Sequence, residues 1–227
     1  MKNRDFRGSV QPQNDRKTGE RRMQQRNITD RSELNKIREK LEKNLSAARY
    51  QHTLGVAYTA ACLAMRYGED PLAAELAGLL HDCAKEYRTK ELLALGKSFG
   101  YHFSEDELRV PQVLHAVIGP YVAQEKYNVN APEVLAAIRW HTTGTGNMSL
   151  LEKIIFTADY IEPNRDQAEN LEEIRMLAFS DLSYCVFRIT EDTLKYLEQK
   201  GITADPMTQQ CYLWLKENGT HDNTGNC

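Results

Sequence analysis

No stretch of the 227-residue chain approaches the run of about eighteen apolar residues that a membrane-spanning helix needs. The first residues also lack the apolar core of a secretory signal. Both absences lead to the expectation of a cytoplasmic protein with no membrane partner. Cysteine is scarce. Cys62, Cys83, Cys185, Cys211 and Cys227 are odd in number, widely spaced and free of any C-x-x-C pair, which argues against a disulfide framework and a thiolate zinc site. Excess positive charge is missing too: the net charge is -3, and general binding to nucleic acid needs a basic face. Strand-like alternation is hard to find, and there is no internal repeat or useful coiled-coil heptad.

The mean hydropathy of -0.60 is low for a chain of this size, and residues 1–33 carry much of the deficit. They hold nine Lys or Arg against five Asp or Glu, a net +4, so with the whole chain at -3 the remainder carries -7. This segment is rich in Arg, Gln and Asn and has no apolar period, the composition of a disordered tail. It reads as a solvated extension, with an RNA- or partner-binding arm as the alternative. Residues 219–227 read as a frayed end.

The body, residues 34–218, reads as a single all-α helical bundle of roughly eight to ten helices. Asp70-Pro71 and Asp205-Pro206 each place a capping carboxylate before a proline whose fixed φ suits a first helical turn. Ser104…Glu107, Asn130…Glu133 and Ser149…Glu152 have capping-box spacing. Gly68, Gly100, Gly144 and Gly201 stand as helix stops. The segment from Pro71 to Leu80 is apolar nearly all round, as a helix buried inside the bundle must be, and it runs directly into His81-Asp82. Ionisable groups delivered to such a place are costly unless they are paired.

Four of the six histidines, His52, His81, His115 and His141, lie in apolar helical text, and Asp159 does as well. Burying four imidazoles and two carboxylates separately would need several unrelated polar networks in one small core. Shared cations would satisfy them together. A ligand set of His and Asp without Cys suits Fe, Mn, Mg or Zn. Six side chains exceed the three or four of a single catalytic zinc and fit two ions bridged by a carboxylate, an arrangement suited to displacement at phosphorus.

The order His52, His81-Asp82, Asp159 resembles the signature of the HD-domain metal-dependent phosphohydrolases, and His115 and His141 are similar to the extra ligands of its binuclear members. Three further stretches narrow the likeness: Leu79-Leu80-His81-Asp82-Cys83-Ala84-Lys85, Arg139-Trp140-His141-Thr142-Thr143-Gly144, and Ala158-Asp159-Tyr160-Ile161-Glu162-Pro163-Asn164-Arg165. Together they resemble the YqeK family of symmetrical bis(5′-nucleosyl)-tetraphosphatases over about residues 34–218. The resemblance implies an HD bundle with a binuclear divalent centre of iron type, Mn, Co or Mg being alternatives. It implies cleavage of diadenosine tetraphosphate into two ADP by a metal-bridging hydroxide. The implied metal ligands are His52, His81, Asp82, His115, His141 and Asp159, with Asp82 as the bridge.

Three other residues are candidates for contact with substrate. Lys85 lies three residues after Asp82, about one turn on if the helix continues, and its ammonium would neutralise phosphate oxygens. Arg165 offers a planar fork for a phosphate, the alternative being a salt bridge to Glu162. Thr142 offers a hydroxyl or backbone donor. Cys83 reads as packing material, Trp140 and Tyr160 as core, and His102 and His221 as exposed. Competing readings keep the metal site and change the chemistry: a nucleotidase, an alarmone or cyclic-dinucleotide phosphodiesterase, a di-iron oxygenase, or a regulatory module without turnover. The Gly-Tyr-Pro element of the cyclic-di-GMP enzymes is missing, since Gly119-Pro120-Tyr121 follows His115-Ala-Val-Ile. A homodimer is compatible with the sequence and not required by it.

Overall fold

The computed structural model describes residues 30–166, 168 and 170–218. Tail positions 1–29, the end 219–227 and His221 lie outside the described residues. Asp30 is the cap of the first helix: its carboxylate accepts from the Ser32 amide at 2.9 Å and from the Ser32 hydroxyl at 2.8 Å. Residues 31–33, expected in the tail, therefore form a helical turn.

Eleven α-helices are present among the described residues, against the eight to ten expected. In chain order they are α1 Arg31–Asn44, α2 Ala47–Tyr67, α3 Pro71–Leu80, α4 Thr89–Ser98, α5 Glu105–Arg109, α6 Leu114–Tyr127, α7 Pro132–Trp140, α8 Leu150–Ile161, α9 Leu171–Ser180, α10 Leu182–Gln199 and α11 Pro206–Asn218, with a 3-10 turn Pro111–Val113 leading into α6. None is long and apolar enough to cross a membrane. Asp70 caps α3 through the Leu72 amide at 2.9 Å, and Asp205 accepts from the Met207 amide at 2.8 Å. The capping boxes of Ser104 with Glu107 and Ser149 with Glu152 form as the spacing predicts. The one expected at Asn130 does not. There α7 starts on Pro132, whose preset φ suits the first position, with Ala131 as the residue before it.

Helix α3 is the centre of the bundle. Every residue from Ala74 to Leu80 is buried, and the helix packs on α2, α7 and α8. Its three leucines there, Leu76, Leu79 and Leu80, each contribute about 1.5–3 kcal/mol by leaving water. Gly78 permits the α2–α3 approach, because a Cβ on it would sit 2.7 Å from the Ala57 Cα. Glu75, the one buried charge on α3, is held by Arg38 and Arg31 of α1, which ties the first helix to the middle one.

Candidate metal centre

The six histidines and aspartates expected to gather do gather, from five elements. His52 lies on α2, His81 and Asp82 follow the end of α3, His115 is on α6, His141 follows α7, and Asp159 is on α8. His81, Asp82, His115 and His141 are buried. Asp82 stands between two pairs of imidazoles. Its Oδ2 lies 3.5 Å from His81 Nε2 and 3.9 Å from His52 Nε2; its Oδ1 lies 3.2 Å from His115 Nε2 and 3.4 Å from His141 Nε2. Asp159 joins the first pair, with Oδ1 3.1 Å from His52 Nε2 and 3.8 Å from His81 Nε2. Two overlapping groups of ligand atoms, His52–His81–Asp159 and His81–Asp82–His141, are compact enough to hold a metal ion.

Helix ends determine which way the imidazoles face. The last carbonyls of a helix have no amide partner within it. His81 Nδ1 donates to the Gly78 carbonyl at 2.7 Å, and His141 Nδ1 to the Ile138 carbonyl at 2.8 Å, each three residues back. His115 does the same with Gln112 in the 3-10 turn, at 2.8 Å. With Nδ1 protonated and engaged, a neutral imidazole presents an unprotonated Nε2. His52 lies inside α2, where the carbonyls are already used. Its Nδ1 donates instead to Glu162 Oε1, at 3.1 Å.

In their neutral forms all four imidazoles therefore point a lone pair on Nε2 at the same place, 3.3 Å apart between His52 and His81 and 3.2 Å apart between His115 and His141. Two lone pairs cannot hydrogen-bond to each other. Asp82 Oδ1, buried among them, has no hydrogen-bond partner. Such an array lacks positive charge at its middle, and the donor set, imidazole plus carboxylate with no thiolate, fits one or more divalent cations. Where no cation lies among them, protons take its place: burial opposes a charge on His52, but Asp159 and Glu162 outweigh it and raise the pKa of that imidazole. Burial pushes the His115 imidazole down to about 4, which keeps it neutral. Burial also opposes charge on Asp82, but protons on the imidazoles around it outweigh burial and hold that carboxyl well below its ordinary range. Asp159 is lowered likewise against the same opposition from burial, by its hydrogen bond with His52 and by the charges of His81 and Arg165.

Three cations ring the centre. Lys85 lies in a turn, not on a continuation of α3, because α3 stops at Leu80; its amide bonds the Asp82 carbonyl at 2.9 Å and its Nζ lies 3.1 Å from His115 Nε2. Arg165 pairs with Asp159, its NH2 2.8 Å from Oδ1, and not with Glu162. Glu162 is already engaged by His52 and by the Asn164 amide at 2.8 Å. The third cation, Arg49, escaped the sequence reading. Its NH1 lies 2.7 Å from Asp82 Oδ2. The signal for it was its position three residues before His52 on one helix face. Glu162 was weighed only as a partner for Arg165. Arg175, which donates to the carbonyls of Ile161, Glu162 and Arg165 and pins the loop after α8, carried no signal at all. Thr142 Oγ1 lies 3.0 Å from His141 Nε2 and 3.3 Å from His115 Nε2. Cys83 is buried, with its thiol pushed up by that burial, and His102 is exposed.

The model of the HD domain matches residues 49–164, a span that encloses all six side chains of the centre. The chain belongs to the HD-domain family. Within it the chain lies among the symmetrical bis(5′-nucleosyl)-tetraphosphatases. It is 37% identical over 178 residues to the protein of that name from Bacillus subtilis (strain 168), covering 77% of this chain and 93% of the other. It is 41% identical over 174 residues to the one from Halalkalibacterium halodurans, covering 76% and 91%. A crystal structure from Clostridium acetobutylicum, titled a "predicted HD superfamily hydrolase involved in NAD metabolism", superposes with a TM-score of 0.79 at 37% identity, covering 82% of this chain and 98% of that one. HD domains bind divalent metals, and this one has the His and Asp groupings to do so.

Proposed function

We propose that this HD-domain protein hydrolyses diadenosine tetraphosphate at its central anhydride, giving two ADP in the cytoplasm, with iron as the resident metal. The observation that carries the reading is Asp82: a buried carboxylate with one oxygen toward each of two imidazole pairs is what a binuclear centre requires of its bridging ligand. In this reading His52, His81, Asp159 and Asp82 would hold one ion, and His115, His141 and Asp82 would hold the other. Two divalent ions bound there would supply hydroxide at neutral pH and offset the charge that develops on the phosphates. The relatives named symmetrical bis(5′-nucleosyl)-tetraphosphatase support the substrate and the position of the cut.

The protein's own groups have defined tasks in such a reaction. Water adds to one central phosphorus, the bridging oxygen leaves with the other ADP, and the extra negative charge must be met at once. Lys85 stands on the His115 side and Arg165 on the Asp159 side, so cations flank the centre in opposite directions. Arg49 neutralises Asp82 from the first pair's side, and its planar fork is of the kind that also suits a phosphate oxygen. Thr142 offers a hydroxyl beside His115 and His141.

The test is to incubate the protein, as purified and with added Fe2+, Mn2+ or Co2+, with diadenosine tetraphosphate and to separate the products. ADP alone is expected. AMP with ATP refutes the symmetrical cut, and oxygen consumption on a polyol with no phosphohydrolysis points to the oxygenase chemistry instead.

A further inference from the structure

Glu162 and Arg165 stand three residues apart and serve two sides of one site: the Glu162 carboxylate orients His52, and the Arg165 guanidinium pairs with Asp159. Something must place the loop that carries both. Helix α8 ends at Ile161, Glu162 has left helical geometry with ψ 152°, and Pro163 has no amide proton with which to continue the helix. The carbonyls of Ile161 and Glu162 are therefore among those that a helix end leaves without a helical amide partner. Within the loop the Arg165 amide closes a turn on the Glu162 carbonyl at 2.9 Å, and the Asn164 amide bonds the Glu162 carboxylate at 2.8 Å. Neither of those bonds reaches beyond the loop.

Arg175, on α9, supplies the outside hold. Its Nε donates to the Ile161 carbonyl, and Nη2 donates one proton to the Glu162 carbonyl and one to the Arg165 carbonyl, each bond 3.0 Å long. One guanidinium thus grips the loop at its start and at its end. Arg175 is in turn fixed by the seat of α9. Leu171, Ile174 and Ala178 bury one side of that helix. At its far end the Tyr67 hydroxyl donates to the Ala178 carbonyl at 2.9 Å, and Arg66 Nε donates to the Phe179 carbonyl at 2.8 Å. Tyr67 and Arg66 belong to α2, the helix that carries His52 about four turns earlier. The contacts close a circuit, from His52 through Glu162 to the loop, through Arg175 to α9, and back to α2. A guanidinium suits this place because its donors lie in one plane at fixed angles, whereas an ammonium is a single point.

We infer that Arg175 is a positioning residue for both functions of the loop: it sets Glu162 against His52 and Arg165 against Asp159. It thereby governs the metal affinity of the His52 side and the placing of a phosphate-facing cation together. The second of these rests on the reading of the protein as a dinucleoside tetraphosphate hydrolase; the first does not.

The metal arm of the experiment is a double-variant cycle on the full chain, read by equilibrium titration with Mn2+. Arg175→Met keeps an apolar stem and removes the donors. It is expected to weaken Mn2+ binding about tenfold, the low end of the range for loss of the outer partner of a metal-bound histidine. Because Arg175 acts through Glu162, the variant carrying both Arg175→Met and Glu162→Ala is expected to bind Mn2+ no more weakly than Glu162→Ala alone. Wild-type affinity in Arg175→Met overturns the inference, and so do losses that multiply in the double variant, the result that general damage to the fold would give. Arg175→Lys is expected to fall between wild type and Arg175→Met, and it carries the same cycle if the methionine variant does not fold. The kinetic arm is turnover of diadenosine tetraphosphate at saturating Mn2+. There Glu162→Ala is expected to recover more of its kcat than Arg175→Met, in which Arg165 is misplaced as well; equal recovery overturns the link to Arg165. Coupling between Arg175 and Glu162 in Mn2+ binding, with diadenosine tetraphosphate left intact by the wild type, upholds the positioning of Glu162 and sinks the substrate assignment.

Discussion

Glu162 is the residue through which the helical geometry of the site is most sharply tested. Three of the four imidazoles are oriented by backbone carbonyls that a helix end or a 3-10 turn leaves free, but His52, in mid-helix, depends on the Glu162 carboxylate 3.1 Å from its Nδ1. A hydrogen bond to a charged acceptor contributes about 1.5–3 kcal/mol. At about 1.4 kcal/mol per decade that is about 10- to 100-fold in an equilibrium constant, the range seen when the outer partner of a metal-bound histidine is removed. Glu162→Ala is therefore expected to weaken Mn2+ binding by 10- to 100-fold, read by equilibrium titration of the purified protein. Glu162→Gln keeps an acceptor oxygen without its charge and should lose less than tenfold. Gly55→Ala supplies an independent route to the same end, because a Cβ there collides with the Glu162 carboxylate and must displace it from His52. Wild-type Mn2+ affinity in both Glu162→Ala and Gly55→Ala would refute the reasoning.

The two sides of the centre carry different charge: on the His52 side Asp159 and Glu162 are offset by Arg165 and Arg49, whereas the Lys85 ammonium stands on the His115 side; two distinct metal affinities are expected. Lys85→Gln should tighten the weaker one while lowering kcat about 100-fold, in the range for loss of a charge-stabilising donor, and unchanged turnover would count against its role. Gly78→Ala forces α2 from α3 and should cost about 1–3 kcal/mol in urea denaturation; a smaller loss would mean that the helices separate easily. Burial pushes the Cys185 thiol up to about 12 and Cys211 up to about 11. Among Cys62, Cys83, Cys185 and Cys211, only the exposed Cys62 should be alkylated in the native protein. Above pH 9 the unfolded chain loses thiol protons that the folded chain keeps, so these cysteines make stability fall as pH rises toward 11–12; a pH-independent melting temperature across that window would contradict it.

Much of the bundle was legible because its signals are local. Asp70-Pro71, Ser104 with Glu107, and Ser149 with Glu152 fold as capping motifs using atoms within three residues of one another. The all-round apolarity of α3 showed that His81 and Asp82 would be delivered to the core, and the shared setting of the other imidazoles and Asp159 showed that they had a reason to meet. What was not legible depends on contacts far apart in sequence. Glu162 reaches His52 across 110 residues. The loop that carries Arg165 takes its shape from Arg175, ten residues away on the next helix, so the choice of Asp159 over Glu162 as the Arg165 partner is tertiary.

The central claim is that Asp82 joins two metal ions. Anomalous diffraction from crystals grown with Mn2+ tests it most directly: the account predicts two peaks per chain, one against each oxygen of Asp82, with His52, His81 and Asp159 at one and His115 and His141 at the other. A single peak at saturating Mn2+, or two that leave Asp82 unbound, would contradict it.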